Sequence, residues 1–148
     1  MEKKYELTDE ILEVGGRVLH RIKALRDFGN VKKGDIGGWI EGQENLSHDD
    51  DCWVYGNARV YGEAKVCGKA KVCGEAKVEK KSDYIVFKNW WSSGRYFTWT
   101  RSNDMWSAGC FYGTGEELIK KAYNDSDESG REYERIVKYV ESIKSEIK

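Results

Sequence analysis

The sequence predicts a mainly β chain with an α+β tail, organised around a short solenoid of six-residue repeats. Three observations carry that expectation. Valine returns at Val54, Val60, Val66, Val72 and Val78, always six residues on. Strand-like runs rich in aromatic residues follow, "DYIVFKNWW", "GRYFTWT" and "WSAGCFY". The chain then ends on "ESGREYERIVKYVESIKSEIK", where Tyr133, Ile136, Val137, Val140 and Ile143 recur at helical spacing with charges on the other face.

A length of 148 residues suits one compact domain or two very small ones. Lys and Arg (25) nearly balance Asp and Glu (26), so no global field draws the chain to nucleic acid or to an anionic membrane. Apolar residues make up only 39%, but six Trp, nine Tyr and four Phe are present, so a few large side chains must supply much of the buried area. With sixteen Gly and no Pro, turns fall to Gly, Asn, Asp and Ser. Cys52, Cys67, Cys73 and Cys110 form no CxxC pair, which predicts reduced thiols and no zinc site. The polar start "MEKKYELTDE" and the lack of a long apolar run predict no secretory leader, no membrane segment and a cytoplasmic location.

Taken in order, residues 1–38 read as short strands. "RVLHRIKALRDF" is apolar at Val18, Leu19, Ile22, Ala24 and Leu25, and "EVGGRV" carries a Gly-Gly hairpin signal. "NVKKGDIGGWI" turns the chain into the repeat, roughly 39–80. A six-residue period fits neither a helix nor simple strand alternation and belongs to the β-helix class of solenoids. In the third region, 83–148, turns at Ser92-Ser93-Gly94 and Arg101-Ser102-Asn103-Asp104 separate three strands. "GTGEELIKKAYN" is a helix, with Thr114 and Glu117 at capping-box spacing; "GTGEE" lacks the Lys and length of a phosphate loop. These divisions give two units, 1–82 and 83–148, the second a three-strand, two-helix α+β unit.

The valine–glycine–alanine hexads resemble the hexapeptide repeat of left-handed parallel β-helices. The resemblance implies that the aliphatic residue opening each hexad points into a triangular prism. It also implies that three hexads make a coil and that the small residue four positions on sits near a corner. Counting back through an eight-residue step at Cys52-Trp53, the hexads open at Ile40, Leu46, Val54, Val60, Val66, Val72 and Val78, about two coils. Ile40, Val60 and Val78 then form one column, Leu46 and Val66 a second, and Val54 and Val72 a third. So short a stack needs both ends closed by the flanking regions or by another subunit. The wider arrangement, "GDIGGWI" into hexads and then "SSGRYFTWTRSNDMW" and "GCFYGTGEEL", resembles small accessory proteins carried by bacteriophages and prophages.

Three groups of residues are candidates for function. On the outer faces of the hexads stand Tyr55 and Tyr61 after the valines, and Arg59, Lys65 and Lys71 before them. They form either a groove for an acidic partner or phosphate or, with Glu63 and Glu75 diluting the charge, a solvated face. In "LSHDDDC", His48 beside Asp49, Asp50 and Asp51 is the candidate base that the acyltransferases of the hexapeptide family would require. Third, Trp90, Trp91, Arg95, Tyr96, Trp99, Arg101 and Trp106 combine aromatic rings with guanidinium groups. That chemistry suits an interface hot spot or base stacking, and equally the core of a domain short of aliphatics. Along the strand, Arg95, Phe97 and Trp99 share one face and Tyr96, Thr98 and Thr100 the other.

No nucleophile–base–orienter set, metal-ligand spacing or phosphate loop stands out, so the expectation is a non-enzymatic binding protein with no cofactor. The resemblance to phage accessory proteins implies an inhibitor of a host defence system in the cytoplasm of the bacterial host. Such a protein would bind a host effector protein or sequester a nucleotide signal, as a homo-oligomer, dimer or trimer. The alternatives are a minimal acyltransferase-like enzyme using His48 and a structural assembly module.

Overall fold

The computed structural model describes residues 3–146. The chain opens with an antiparallel hairpin of β1 (Tyr5–Val14) and β2 (Arg17–Ala24). Its turn is Gly15–Gly16, with φ of +54° and +83° at the two central positions, which is what a two-residue hairpin needs to match strand twist. The strands, ten and eight residues long, exceed the short ones that the sequence predicts. β2 then pairs antiparallel with β3 (Ile36–Ile40), where the hexads begin.

From β3 onward the pairing is parallel. β3, β5 (Arg59–Val60) and β7 (Lys77–Val78) stack with Ile40 against Val60 and Val60 against Val78. β4 (Trp53–Val54) stacks on β6 (Lys71–Val72) with Val54 against Val72, and Leu46 bridges Val66. These are the three columns that the resemblance, with three hexads to a coil, implies, and all seven aliphatic side chains are 0% exposed. Three hexads separate Val60 from Val78, whereas two inserted residues lengthen the step from Ile40 to Val60. The insertion lies in the loop before Trp53, where Asp50 takes a left-handed φ of +56°.

The corners differ from expectation. Gly56, Gly62, Gly68 and Gly74 all sit at φ between +59° and +68°. The alanine two residues on donates its N–H back across the turn, as from Ala58 to the Tyr55 carbonyl at 3.1 Å. A left-handed residue followed by an ordinary one is the II′ arrangement, which glycine adopts without steric cost. Glycine therefore makes the corner. Ala58, Ala64, Ala70 and Ala76, at most 1% exposed, close it from inside, where a larger side chain would meet the aliphatic columns.

The tail is a four-stranded antiparallel sheet in the order β11–β10–β9–β8, built from β8 (Tyr84–Lys88), β9 (Tyr96–Thr100), β10 (Met105–Ala108) and β11 (Phe111–Gly113). The expected third strand, "WSAGCFY", is in fact a hairpin turning at Gly109, whose φ is +60°. Helices α1 (Gly115–Asp125) and α2 (Asp127–Ile143) follow. Thr114 caps α1 through the expected capping box: its hydroxyl accepts from the Glu117 N–H at 3.2 Å, and Glu117 accepts from the Thr114 N–H at 2.9 Å.

Both faces of this sheet are covered. Ile85, Phe87, Phe97, Trp99 and Trp106 pack with Leu118, Tyr133 and Val137 of the helices. Alternate residues face the hexads: Tyr84 and Val86 join the hexad core, and Thr98 and Ser107 are buried toward it. Among the described residues no strand pairs beyond the last coil, and hydroxyl groups take the place of one. Tyr84 donates to the Lys65 carbonyl at 2.8 Å. The Lys71 N–H donates to Thr98 Oγ1 at 3.0 Å and the Lys77 N–H to Ser102 Oγ at 2.7 Å. Each of the three columns thus has a backbone group at its end satisfied by the tail, as buried or edge groups require.

Candidate functional site

The aromatic–arginine stretch divides into core and surface. Trp99 and Trp106 are 0% and 1% exposed, and the Trp99 indole N–H donates to Asp104 at 2.8 Å. They are therefore packing residues, which corrects their candidacy for binding. Trp91 is half-buried, edge-on to Tyr133 at 5.0 Å, with its N–H on Ser129 Oγ at 3.0 Å. Arg101 pairs with Asp83 at 3.5 Å and helps to fix the start of β8. What remains outward is the β8–β9 turn and its exit: Trp90 (67% exposed), Tyr96 (39%) and Arg95.

Trp90 stands on the turn with its ring edge-on to Trp91 at 5.7 Å, so its base is buttressed while its outer surface meets solvent. Tyr96 carries the Lys88 ammonium 5.8 Å from its ring centre. The Arg95 guanidinium lies across Gly109, where an added Cβ would come within 2.6 Å of it. Among the described residues no carboxylate lies within ion-pairing distance of Arg95.

Arg95 is also the one residue common to three adjoining hollows. The first, about 310 Å³, lies between the β8–β9 turn and the helices and includes Asn89, Lys121 and Tyr133. The second, about 500 Å³, runs along Gly109–Tyr112 and includes Lys71 and Lys121. The third, about 160 Å³, is bounded by Tyr55, Lys69, Lys71 and Tyr96. Docking of the tail therefore brings two sets of predicted residues together, Tyr55 and Lys71 from the hexads with Arg95 and Tyr96 from the tail. Burial pushes the Tyr55 phenol up to about 12, so it stays protonated.

The other hexad candidates lie elsewhere. Arg59 lines a separate polar cleft with Glu75, Lys77 and Ser102. Tyr61 is half-buried under the Arg17 guanidinium, 5.5 Å from its ring centre, and Lys65 is exposed. Sequence reasoning missed Lys121, Asn89 and Tyr133. Lys121 is on a helix face that reads as solvated, and no local signal marks any of the three.

His48 is a structural residue. Its ring stacks on Tyr5 at 4.1 Å and 7°, its Nδ1 accepts the Lys4 backbone N–H at 3.0 Å, and its Nε2 lies 2.9 Å from Gln43 Oε1. Since Nδ1 accepts, Nε2 carries the proton and donates. Burial, and the charges of Lys4, Lys3 and Arg26, hold its pKa below the usual value. None of Asp49, Asp50 or Asp51 orients it; its partners are Lys4 and Gln43, and neither nitrogen is left to act as a base. Lys4 itself, unmarked in the sequence, is 0% exposed. Its ammonium donates to the Cys52 carbonyl at 2.7 Å and the Asp50 carbonyl at 3.2 Å, and lies 3.4 Å from both the Asp49 carbonyl and the Cys52 thiol. It holds the inserted loop in place, at a depth where burial lowers its pKa against the opposing pull of Cys52.

Among the described residues no three His, Cys, Asp or Glu side chains gather as a metal site, and no helix is long and apolar enough to cross a membrane. No protein-family model matches the chain, and no curated protein matches it.

Proposed function

We propose that the chain is a non-enzymatic binding protein of the phage accessory kind, built on two coils of a left-handed β-helix, that inhibits a bacterial defence system by docking on a host effector protein. The observation that carries this reading is Trp90. A tryptophan 67% exposed on a turn, braced from below by Trp91 and followed by Tyr96 and Arg95, has the composition and rigidity of an interface hot spot. The engagement of both His48 nitrogens weighs against the acyltransferase alternative. Coverage of the last coil by the tail weighs against end-to-end assembly.

The test is affinity capture from a bacterial lysate with the wild-type chain and with Trp90→Ala. A host protein retained by the first and lost by the second, with unchanged melting of the variant, is the expected result; a hot-spot loss of ~2 kcal/mol or more weakens binding roughly thirty-fold. Equal capture by both would refute the placement of the docking surface.

A further inference from the structure

The Arg95 crevice has a chemistry of its own, beside the Trp90 surface with which it shares Arg95 and Tyr96. The chain as a whole carries one more acidic than basic residue, yet the crevice reverses that balance. Arg95, Lys121, Lys71 and Lys69 face it, against Asp51 and Asp125. Asp51 is already committed to Lys69 at 3.2 Å, so Arg95, Lys121 and Lys71 outnumber the one remaining carboxylate. The positive end of α2 is not the source of this excess, because Asp127 and Glu128 in its first turn offset it.

Cation placement and shape agree. Arg95 and Lys121 both border the first and second hollows, and Arg95 and Lys71 both border the second and third. The cations therefore line the shared middle of the crevice. The first hollow is lined by buried residues with polar groups: Asn89 is 3% exposed and Tyr133 8%. Burial holds the Tyr133 phenol above its usual pKa, so it presents a hydroxyl and not a phenolate. The third hollow is lined by Tyr55 and Tyr96. The first and second volumes fall within the ~300–1,000 Å³ typical of small-molecule sites.

We propose that this crevice binds a nucleotide, with its phosphates on Arg95, Lys121 and Lys71 and its base against Tyr96 and Tyr55. Guanidinium and ammonium groups converging without carboxylate partners are the chemistry that recognises phosphate oxygens, and the phenol faces are suited to stacking a base.

Titration calorimetry with ADP, inorganic pyrophosphate and adenosine tests it on the full chain. ADP binds tightest, pyrophosphate at least ten-fold more weakly, and adenosine not measurably. Arg95→Ala and Lys121→Ala each weaken ADP at least ten-fold, and Arg95→Lys falls between Ala and wild type. Tyr96→Ala weakens ADP but leaves pyrophosphate unchanged. Melting curves show that the variants fold, which surface positions permit. Absence of ADP binding at millimolar concentration overturns the proposal, as does undiminished binding by Arg95→Ala. ADP and pyrophosphate binding equally overturns the base subsite. Because Trp90 lines none of the three hollows, Trp90→Ala keeps its ADP affinity whether or not the protein-docking reading holds.

Discussion

The corner glycines offer a quantitative test of how the hexads turn, because one backbone conformation recurs in different surroundings. At Gly68, φ is +65° and an added Cβ would meet nothing within 4 Å. Gly68→Ala therefore measures backbone strain alone. Placing an L side chain in the left-handed region costs ~1–2 kcal/mol, offset in part by ~0.4–1 kcal/mol from a less flexible unfolded chain. The net loss is about 1 kcal/mol, or about 2–4 °C in Tm for a chain of this size. Gly56→Ala should match it, since its added Cβ would sit at an ordinary 3.7 Å from the Gly74 carbonyl. Gly74 differs: an added Cβ would overlap the Tyr112 phenol, which accepts from Asn103 Nδ2 at 2.9 Å. Displacing Tyr112 gives up that hydrogen bond and adds about 1 kcal/mol, for a total near ~2 kcal/mol. Urea unfolding followed by tryptophan fluorescence reads all three. If Gly68→Ala is as stable as wild type, or Gly74→Ala no worse than Gly68→Ala, the account of the corners is wrong.

Three further outcomes follow from the packing. Trp106→Ala, which empties the space beside the stacked Phe87 and Phe97, should cost about 3–5 kcal/mol in urea unfolding, whereas Trp90→Ala should leave the midpoint within error. Thr98→Val keeps the shape but leaves the Lys71 N–H without its acceptor, a loss of ~1–3 kcal/mol in the same assay. Asp104 is pushed up by burial but pulled further down by the Trp99 indole and by Lys144, so its folded pKa lies below its ordinary value. Its stabilising contribution is therefore present above the ordinary carboxylate pKa and is lost as pH falls through the lower folded one. Unfolding midpoints across that acid range should decline less steeply in Asp104→Asn than in wild type.

The stack's register was legible because each hexad repeats one local solution, so Val60 and Val78 could be aligned by counting. The tail was legible only in outline. Alternation along β9 put Phe97 with Trp99 correctly, but nothing in "RYFTWT" says that the threonine face is buried as well, since a hydroxyl reads as solvent-facing until a coil edge needs it. The turn that splits "WSAGCFY" rests on one left-handed glycine. The meeting of Lys71 with Arg95 and Lys121 depends on how the tail docks, a long-range fact with no local trace. Lys4 is the extreme case. In "MEKKYEL" it is one charge among several, and its role is to gather carbonyls from a loop that the chain reaches only after the whole N-terminal hairpin and the first hexads.

Closing the last coil with hydroxyl groups has a consequence for chain length. Thr98, Ser102 and Tyr84 take up backbone groups of whichever coil comes last, and the strand ladder of the β1–β2 hairpin meets the stack at β3. Neither end counts the turns between them. Three further hexads could be inserted without altering either set of backbone contacts, each such unit moving the tail about 4.8 Å from the hairpin and parting the Arg17–Glu79 ion pair, at 3.6 Å, that spans the stack. The middle of the chain is thus a ruler, and the distance between its two ends can be set by whole-turn insertion while the backbone contacts at each end stay the same.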